Sequence, residues 1–210
     1  MSYWDHVKPV QRARSVDVRR IADEACALLD EGGEAVLSLR SVAQRLGVAA
    51  ASIYSRIDTV EDVMDIALDH ALMKDEQFQA CLDDGADATT ILIGHYDHLV
   101  QHQWAIGVIA RRPPRGPAYL RFSDALCSRL VADGLPDPLS IAYAASNYVL
   151  GCAATVQASS AEPNAPIDAN IAPVYAGLQD SQTHSAETLL RLGITSILDS
   201  GTNWKNDETA

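Results

Sequence analysis

Three histidines stand out first in this 210-residue chain, because their spacing could do chemistry. His95, His98 and His102 fall at i, i+3 and i+7, so a helix would present all three on one face. Three imidazoles so placed can hold zinc or nickel, with Asp97 or His70 as further ligands. A metal-using enzyme is one reading of that face. Histidines hydrogen-bonded within the fold, or facing solvent around a ligand pocket, are the other. No enzyme motif accompanies them: there is no G-x-S-x-G nucleophile elbow, no phosphate-cradling G-x-x-x-x-G-K and no H-E-x-x-H. Cys26, Cys81, Cys127 and Cys152 lie far apart and form no C-x-x-C pair, which argues for reduced thiols in a cytoplasmic protein. The expectation is no catalytic residue, no metal and no cofactor.

The elements that would position such side chains are helical throughout. Apolar residues recur at helical spacing and alternating strand patterns are absent, so the fold class is all-α. Helices are expected over about 17–30, 39–46 and 50–56, from about 59, and then over about 89–103, 117–132, 138–159 and 185–199. Ile21, Ala25, Leu28 and Leu29 form the inward face of the first, which Gly32-Gly33 stops. Ser38 offers an oxygen to cap the second, whose inward face is Leu39, Val42, Ala43 and Leu46, and Gly47 ends it. Pro113-Pro114, Pro117 and Gly134-Leu-Pro-Asp-Pro138 are firm breaks, since proline cannot continue a helix from within. No stretch approaches the roughly 18 uninterrupted apolar residues of a membrane span, and no secretory signal is evident.

Two late helices bear on assembly. Over 138–159, Ile141, Ala145, Tyr148, Cys152 and Val156 line one face and Ala142, Val149 and Ala153 another. Over 185–199, Ala186, Leu190, Gly193, Ile194 and Ile197 form a stripe that Leu189 and Leu192 widen. Such two-sided helices suit a four-helix homodimer interface, or a place at the centre of the monomer.

The segment from Ser38 to Ile57 pairs two short helices across a glycine turn. That arrangement can set the second helix in the major groove of DNA while the first crosses the backbone. The net charge of −12 is distributed to permit this. Residues 1–56 carry eight Lys/Arg against seven Asp/Glu, whereas the remainder carries eight against twenty-one.

This segment resembles the front domain of the tetracycline-repressor family of transcriptional regulators, on Ser38, Arg40, Val42-Ala43, Leu46-Gly47-Val48, Ile53-Tyr54, Ile57 and Glu61. Arg112-Pro113 and Gly116-Pro117 look like that family's ligand-gate region, and Tyr148 to Cys152 and Leu192 to Asp199 like its dimer-forming helices. The resemblance implies a helix-turn-helix DNA-binding domain over 1–60, a ligand-binding and dimerisation domain over 61–202, and a tail over 203–210. It also implies a cytoplasmic homodimeric repressor that binds a near-palindromic double-stranded DNA operator and releases it on binding a small organic effector. A helical DNA-binding regulator without an effector is the alternative.

By the same resemblance Arg40 matches a guanine-reading position, and Ala50, Ala51 and Ser52 the groove-facing start of the recognition helix. Ser38, Ser41, Tyr54 and Thr59 match phosphate-contacting positions, and Ser55 and Arg56 could reach phosphate or a base edge. Arg40, Arg45 and Arg56 can also be read as ordinary solvated charges. The chain departs from the family pattern at Val60, where a phosphate-anchoring lysine is usual, and at Ala49, where Ser or Thr would cap. Lys8, Arg12, Arg14 and Arg56 could compensate. Val108 and Thr155 stand where tetracycline-binding members hold magnesium, which implies an effector recognised without metal. For the effector, His98, Trp104, Asn147, Tyr148 and Gln157 are the candidate ligand-binding residues, the aromatics for stacking and the others for orientation.

Overall fold

The computed structural model describes residues 2–7, 16–181 and 185–203, so Lys8, Arg12 and Arg14 lie outside the described residues. Among the described residues the regular elements are all helical. Helix α1 (Val18–Gly32) starts where the Asp17 carboxylate accepts the Arg19 amide, and stops at Gly33, whose φ of 64° glycine tolerates. Helix α2 (Leu39–Leu46) is capped by Ser38 and Ser41, which bond each other's backbone amides at 2.9 and 2.8 Å. Gly47, at φ 67°, turns the chain into the short helix α3 (Ala50–Tyr54), which drives a fully buried Ile53 beneath α2. Thr59 and Asp62 cap one another and open α4 (Val60–Lys74).

Helix α4 packs along α1 and also against α7 and α8, so most of its surface is covered. At Asp75 the chain turns at once into α5 (Glu76–Asp83), because the Asp75 carboxylate accepts the Phe78 amide. The body continues with α6 (Ala88–Gln101), α7 (Gln103–Arg111), α8 (Pro117–Ala132), α9 (Pro138–Ala161), α10 (Pro173–Ser181) and α11 (Ala186–Asn203). Helix α9 is long and apolar enough, by length and composition, to cross a membrane. Here it packs against α6, α8 and α11, burying Ala145, Val149 and Ala153 completely. The Tyr148 ring fills the notch left by Gly193, and its hydroxyl donates to the Leu189 carbonyl at 2.9 Å.

Three helices exceed the sequence expectation: α5, α7 and α10. The expected helix over 89–103 instead breaks at His102 (φ −116°, ψ 67°) and restarts as α7. The break has a tertiary cause. His102 Nδ1 and the Trp104 indole N–H both bond Asp30 on α1, at 2.8 and 2.7 Å, which bends the chain between them.

The three-histidine face is thereby taken apart. His98 Nδ1 pairs with Asp75 at 3.0 Å and His102 with Asp30, while His95 lies among Phe78, Tyr119 and Phe122. His70, offered as a further ligand, bonds Asp23 at 2.7 Å. Among the described residues only His6, Asp58 and Asp62 bring three metal-ligating atoms within 4.8 Å of one another.

Burial pushes His95 down to about 3, helped by the nearby His98, and pushes His98 down to about 4 by burial and by His102, against the pull of Asp75. Both are neutral in the native state and gain a proton on unfolding below about pH 6.5. Stability is therefore full above that pH and falls as the pH drops toward the folded values, by about 1.4 kcal/mol per pH unit for each histidine. Urea denaturation at pH 7.5, 6 and 5 should show this slope, roughly halved in His95→Phe; an unchanged slope would show that His95 takes no part. The Gly193 notch gives a second expectation. A Cβ there would sit 2.1 Å from Tyr148 Cζ, so Gly193→Ala should cost about 1–3 kcal/mol. Tyr148→Leu in the same chain should recover part of the loss in a double-mutant denaturation cycle.

Candidate nucleic-acid interface and ligand cavity

The α2–α3 head presents one polar face. Arg40 on α2, Ala51 and Tyr54 on α3, and Ser38, Ser55 and Thr59 beside them are exposed, while Ser41, Ala50 and Ser52 are partly covered. Leu39, Val42, Ala43 and Ile53 hold the two helices together from beneath. Several hydroxyls already serve the backbone. Ser41 Oγ donates to the Val36 carbonyl at 2.9 Å, Ser55 Oγ donates to the Ser52 carbonyl at 2.7 Å, and Thr59 Oγ1 accepts the Asp62 amide at 3.1 Å. Ala49 leaves α3 without a side-chain cap, as its residue type requires. Arg56 is turned differently: its Nε and Nη1 are buried and find no hydrogen-bond partner among the described residues. Arg45 pairs with Glu31 on the flank of the head.

The head is tied to the body by carboxylates on α4 that sequence reasoning did not single out. Asp65 Oδ1 pairs with Arg112 Nε at 3.1 Å, and its Oδ2 accepts the Tyr3 amide at 2.9 Å. Arg112 also donates to the Glu61 carbonyl at 2.6 Å, and the neighbouring Arg111 pairs with Glu34 at 2.7 Å. One turn along α4, Asp69 accepts the Ala118 and Tyr119 amides at 2.8 and 3.1 Å and so caps α8. Burial raises the Asp69 pKa, partly offset by those two amides. Gly116 exists for this contact, because a Cβ there would lie 2.1 Å from Asp69 Oδ1. The signal in the sequence was two acids four residues apart, Asp65 and Asp69, with the apolar Ile66, Ala67 and Leu68 between them.

Between α6, α8, α9 and the proline loop lies a cavity of about 440 Å³, within the usual range for small-molecule sites. Tyr119 and Phe122 of α8 form one wall, backed by the His95 ring 4.5 Å from Phe122. Leu139, Tyr143 and Asn147 of α9 form the other, and Arg111, Arg112 and Arg115 contribute the loop side.

Of the five candidate ligand-binding residues, the cavity wall includes Asn147. The other four lie elsewhere, each for a local reason. His98 is drawn to Asp75, Trp104 is anchored to Asp30, Tyr148 is wedged against α11, and Gln157 is exposed farther along α9. His95, Tyr119 and Phe122, which sequence reasoning did not offer for this role, line the cavity. Their signal was the spacing of Tyr119 and Phe122 just after the Gly116-Pro117 break.

Residues 90–189 match the family described as tetracyclin repressor-like, C-terminal domain. A curated HTH-type transcriptional regulator from Saccharopolyspora erythraea is 33% identical over 138 residues, 63% of this chain and 57% of the relative. The matched stretch thus spans little more than half the length of that relative. The transcriptional regulator SCO7222, a TetR from Streptomyces coelicolor, superposes with a TM-score of 0.72 at 24% identity, covering 90% of this chain and 98% of its own. The Streptomyces coelicolor TetR family protein ActR, solved in complex with actinorhodin, superposes with a TM-score of 0.71 at 18% identity, covering 91% and 99%. With residues 90–189 matching that C-terminal domain family, a related regulator and a fold that both neighbours share, the chain is similar to the tetracycline-repressor (TetR) family of transcriptional regulators.

Proposed function

We propose that the chain is a cytoplasmic transcriptional repressor that grips a near-palindromic operator as a homodimer and lets go when a small organic effector fills the body cavity. One observation carries this reading. Helix α4 closes the head at one end and, through Asp65 and Asp69, holds both the Arg112 loop and the start of α8, which are cavity walls. A ligand that displaces Arg112 or tilts α8 acts on the same helix that sets the head. Two heads must meet half-sites about one helical turn apart, roughly 34–36 Å, so a small change in α4 ruins the fit. The effector then needs a preference of only a few kcal/mol for the released spacing.

The name of the Saccharopolyspora relative and the actinorhodin bound by ActR support regulation and effector binding respectively. The cavity disfavours a regulator that works without an effector. Domain limits of 1–60 and 61–202 follow from the same reading, with α4 as the shared strut. Thr155 spends its hydroxyl on the Gly151 carbonyl at 2.9 Å and Val108 is core, which supports recognition without a metal. Leu192 and Leu189 of α11 are exposed and suit a partner's helices, whereas Leu190 and Ile194 are buried within the protomer.

Two measurements test the reading. Operator selection from a random DNA pool should give a two-fold symmetric site. Arg40→Ala should cost about 1–3 kcal/mol on that site and relax one position per half-site, while Tyr54→Phe weakens all sequences evenly. An unchanged sequence preference in Arg40→Ala removes Arg40 from base reading. Leu192→Glu should give a folded monomer by sedimentation that no longer holds the full operator. A folded monomer with undiminished operator affinity contradicts the homodimer.

A further inference from the structure

We propose that the effector is a flat aromatic acid: its aryl body lies along Tyr119 and Phe122, a phenolic or carbonyl oxygen meets His95 and the Tyr119 hydroxyl, and its carboxylate meets Arg115. The inference rests on the effector reading above and names the class of ligand for that site.

Three observations converge on it. The first is the buried end of the cavity. His95 is 4% exposed and Tyr119 3% exposed, and both line the cavity. Neither ring nitrogen of His95 nor the Tyr119 hydroxyl has a hydrogen-bond partner among the described residues. Buried polar atoms left unpaired cost about 1–3 kcal/mol each, so three of them in one place mark a position built for a polar partner. Burial keeps His95 neutral, so its ring offers one donor and one acceptor, and the Tyr119 hydroxyl offers both. A hydroxyl or carbonyl oxygen satisfies that set; a cation or a carboxylate at this depth would be poorly matched.

The second is charge. The chain has 28 acidic residues, yet the cavity lining contains Arg111, Arg112 and Arg115 and no Asp or Glu. Arg111 and Arg112 are engaged by Glu34 and Asp65. Arg115 is exposed and has no ion-pair partner among the described residues, which leaves a guanidinium at the mouth for a carboxylate. The third is shape. Phe122 lies 6.4 Å from Tyr119 at 80° and 4.5 Å from His95 at 38°, and the largely exposed Tyr143 faces them from α9. Aromatic faces and edges so arranged favour a planar ring system over an aliphatic chain.

The test uses the full chain and 6-hydroxy-2-naphthoic acid, with its methyl ester, 2-naphthoic acid and 2-methylnaphthalene as comparisons, by calorimetric titration at neutral pH. The hydroxy acid should bind about tenfold or more tighter than its ester. Arg115→Gln should erase that preference. Tyr119→Phe should weaken the hydroxy acid but leave 2-naphthoic acid unchanged, and should not lower the Tm of the ligand-free protein, because it deletes only an unpaired hydroxyl. An ester or 2-methylnaphthalene that binds as well as the acid, or equal losses for both acids in Tyr119→Phe, overturns the aromatic-acid class and leaves the effector reading standing. Failure of all four compounds to bind likewise overturns the aromatic-acid class, whereas the effector reading itself falls if no small molecule releases the operator complex.

Discussion

Asp65 and Asp69 are buried on α4, 8% and 6% exposed, and the architecture answers to them. A carboxylate taken out of water must be met by a cation or by several N–H donors, or the helix that carries it will not stay packed. Asp65 is met by Arg112 and by the Tyr3 amide; Asp69 is met by the first amides of α8. Those requirements dock the N-terminal turn, the proline loop and α8 onto a single helix. They explain why Gly116 cannot carry a side chain and why Arg112 precedes a proline that holds the loop extended. Because α4 also closes the head, groups that pin the cavity and groups that orient the head share one rigid body.

The cavity owes its character to what surrounds it. The buried acids Asp65 and Asp69 of α4 are met by Arg112, the Tyr3 amide and the first amides of α8, and Asp75 and Asp30 are occupied by His98, His102 and Trp104. The cavity lining holds no carboxylate and has an aromatic wall with neutral polar atoms at depth and a guanidinium at the rim. The same desolvation that holds His95 uncharged makes it a useful hydrogen-bonding group rather than a fixed charge. A strongly acidic chain thus carries a cavity lined by arginines and no carboxylate.

Local chemistry made much of the chain legible. Serine and threonine caps, glycines at φ 64° and 67°, proline breaks and apolar spacing act within a few residues, so α1 to α4, α8, α9 and α11 were readable in the sequence. The outward face of α2 and α3 followed from the same periodicity, since burying Val42 and Ile53 leaves Arg40 and Tyr54 outside.

What the tertiary structure alone decided were contacts between residues far apart in sequence. Asp30 reaches 72 and 74 residues ahead to His102 and Trp104, which broke a helix that periodicity would have continued and withdrew Trp104 from the cavity. His98 was claimed by Asp75 and Tyr148 by the Gly193 notch, while His95, identical to its neighbours by spacing, alone met aromatic rings and no acid. Sequence spacing determines which residues share a helical face. Which of them find a partner, and which are left unpaired beside a cavity, depends on side chains brought up by other helices, and that information exists only once the helices are packed.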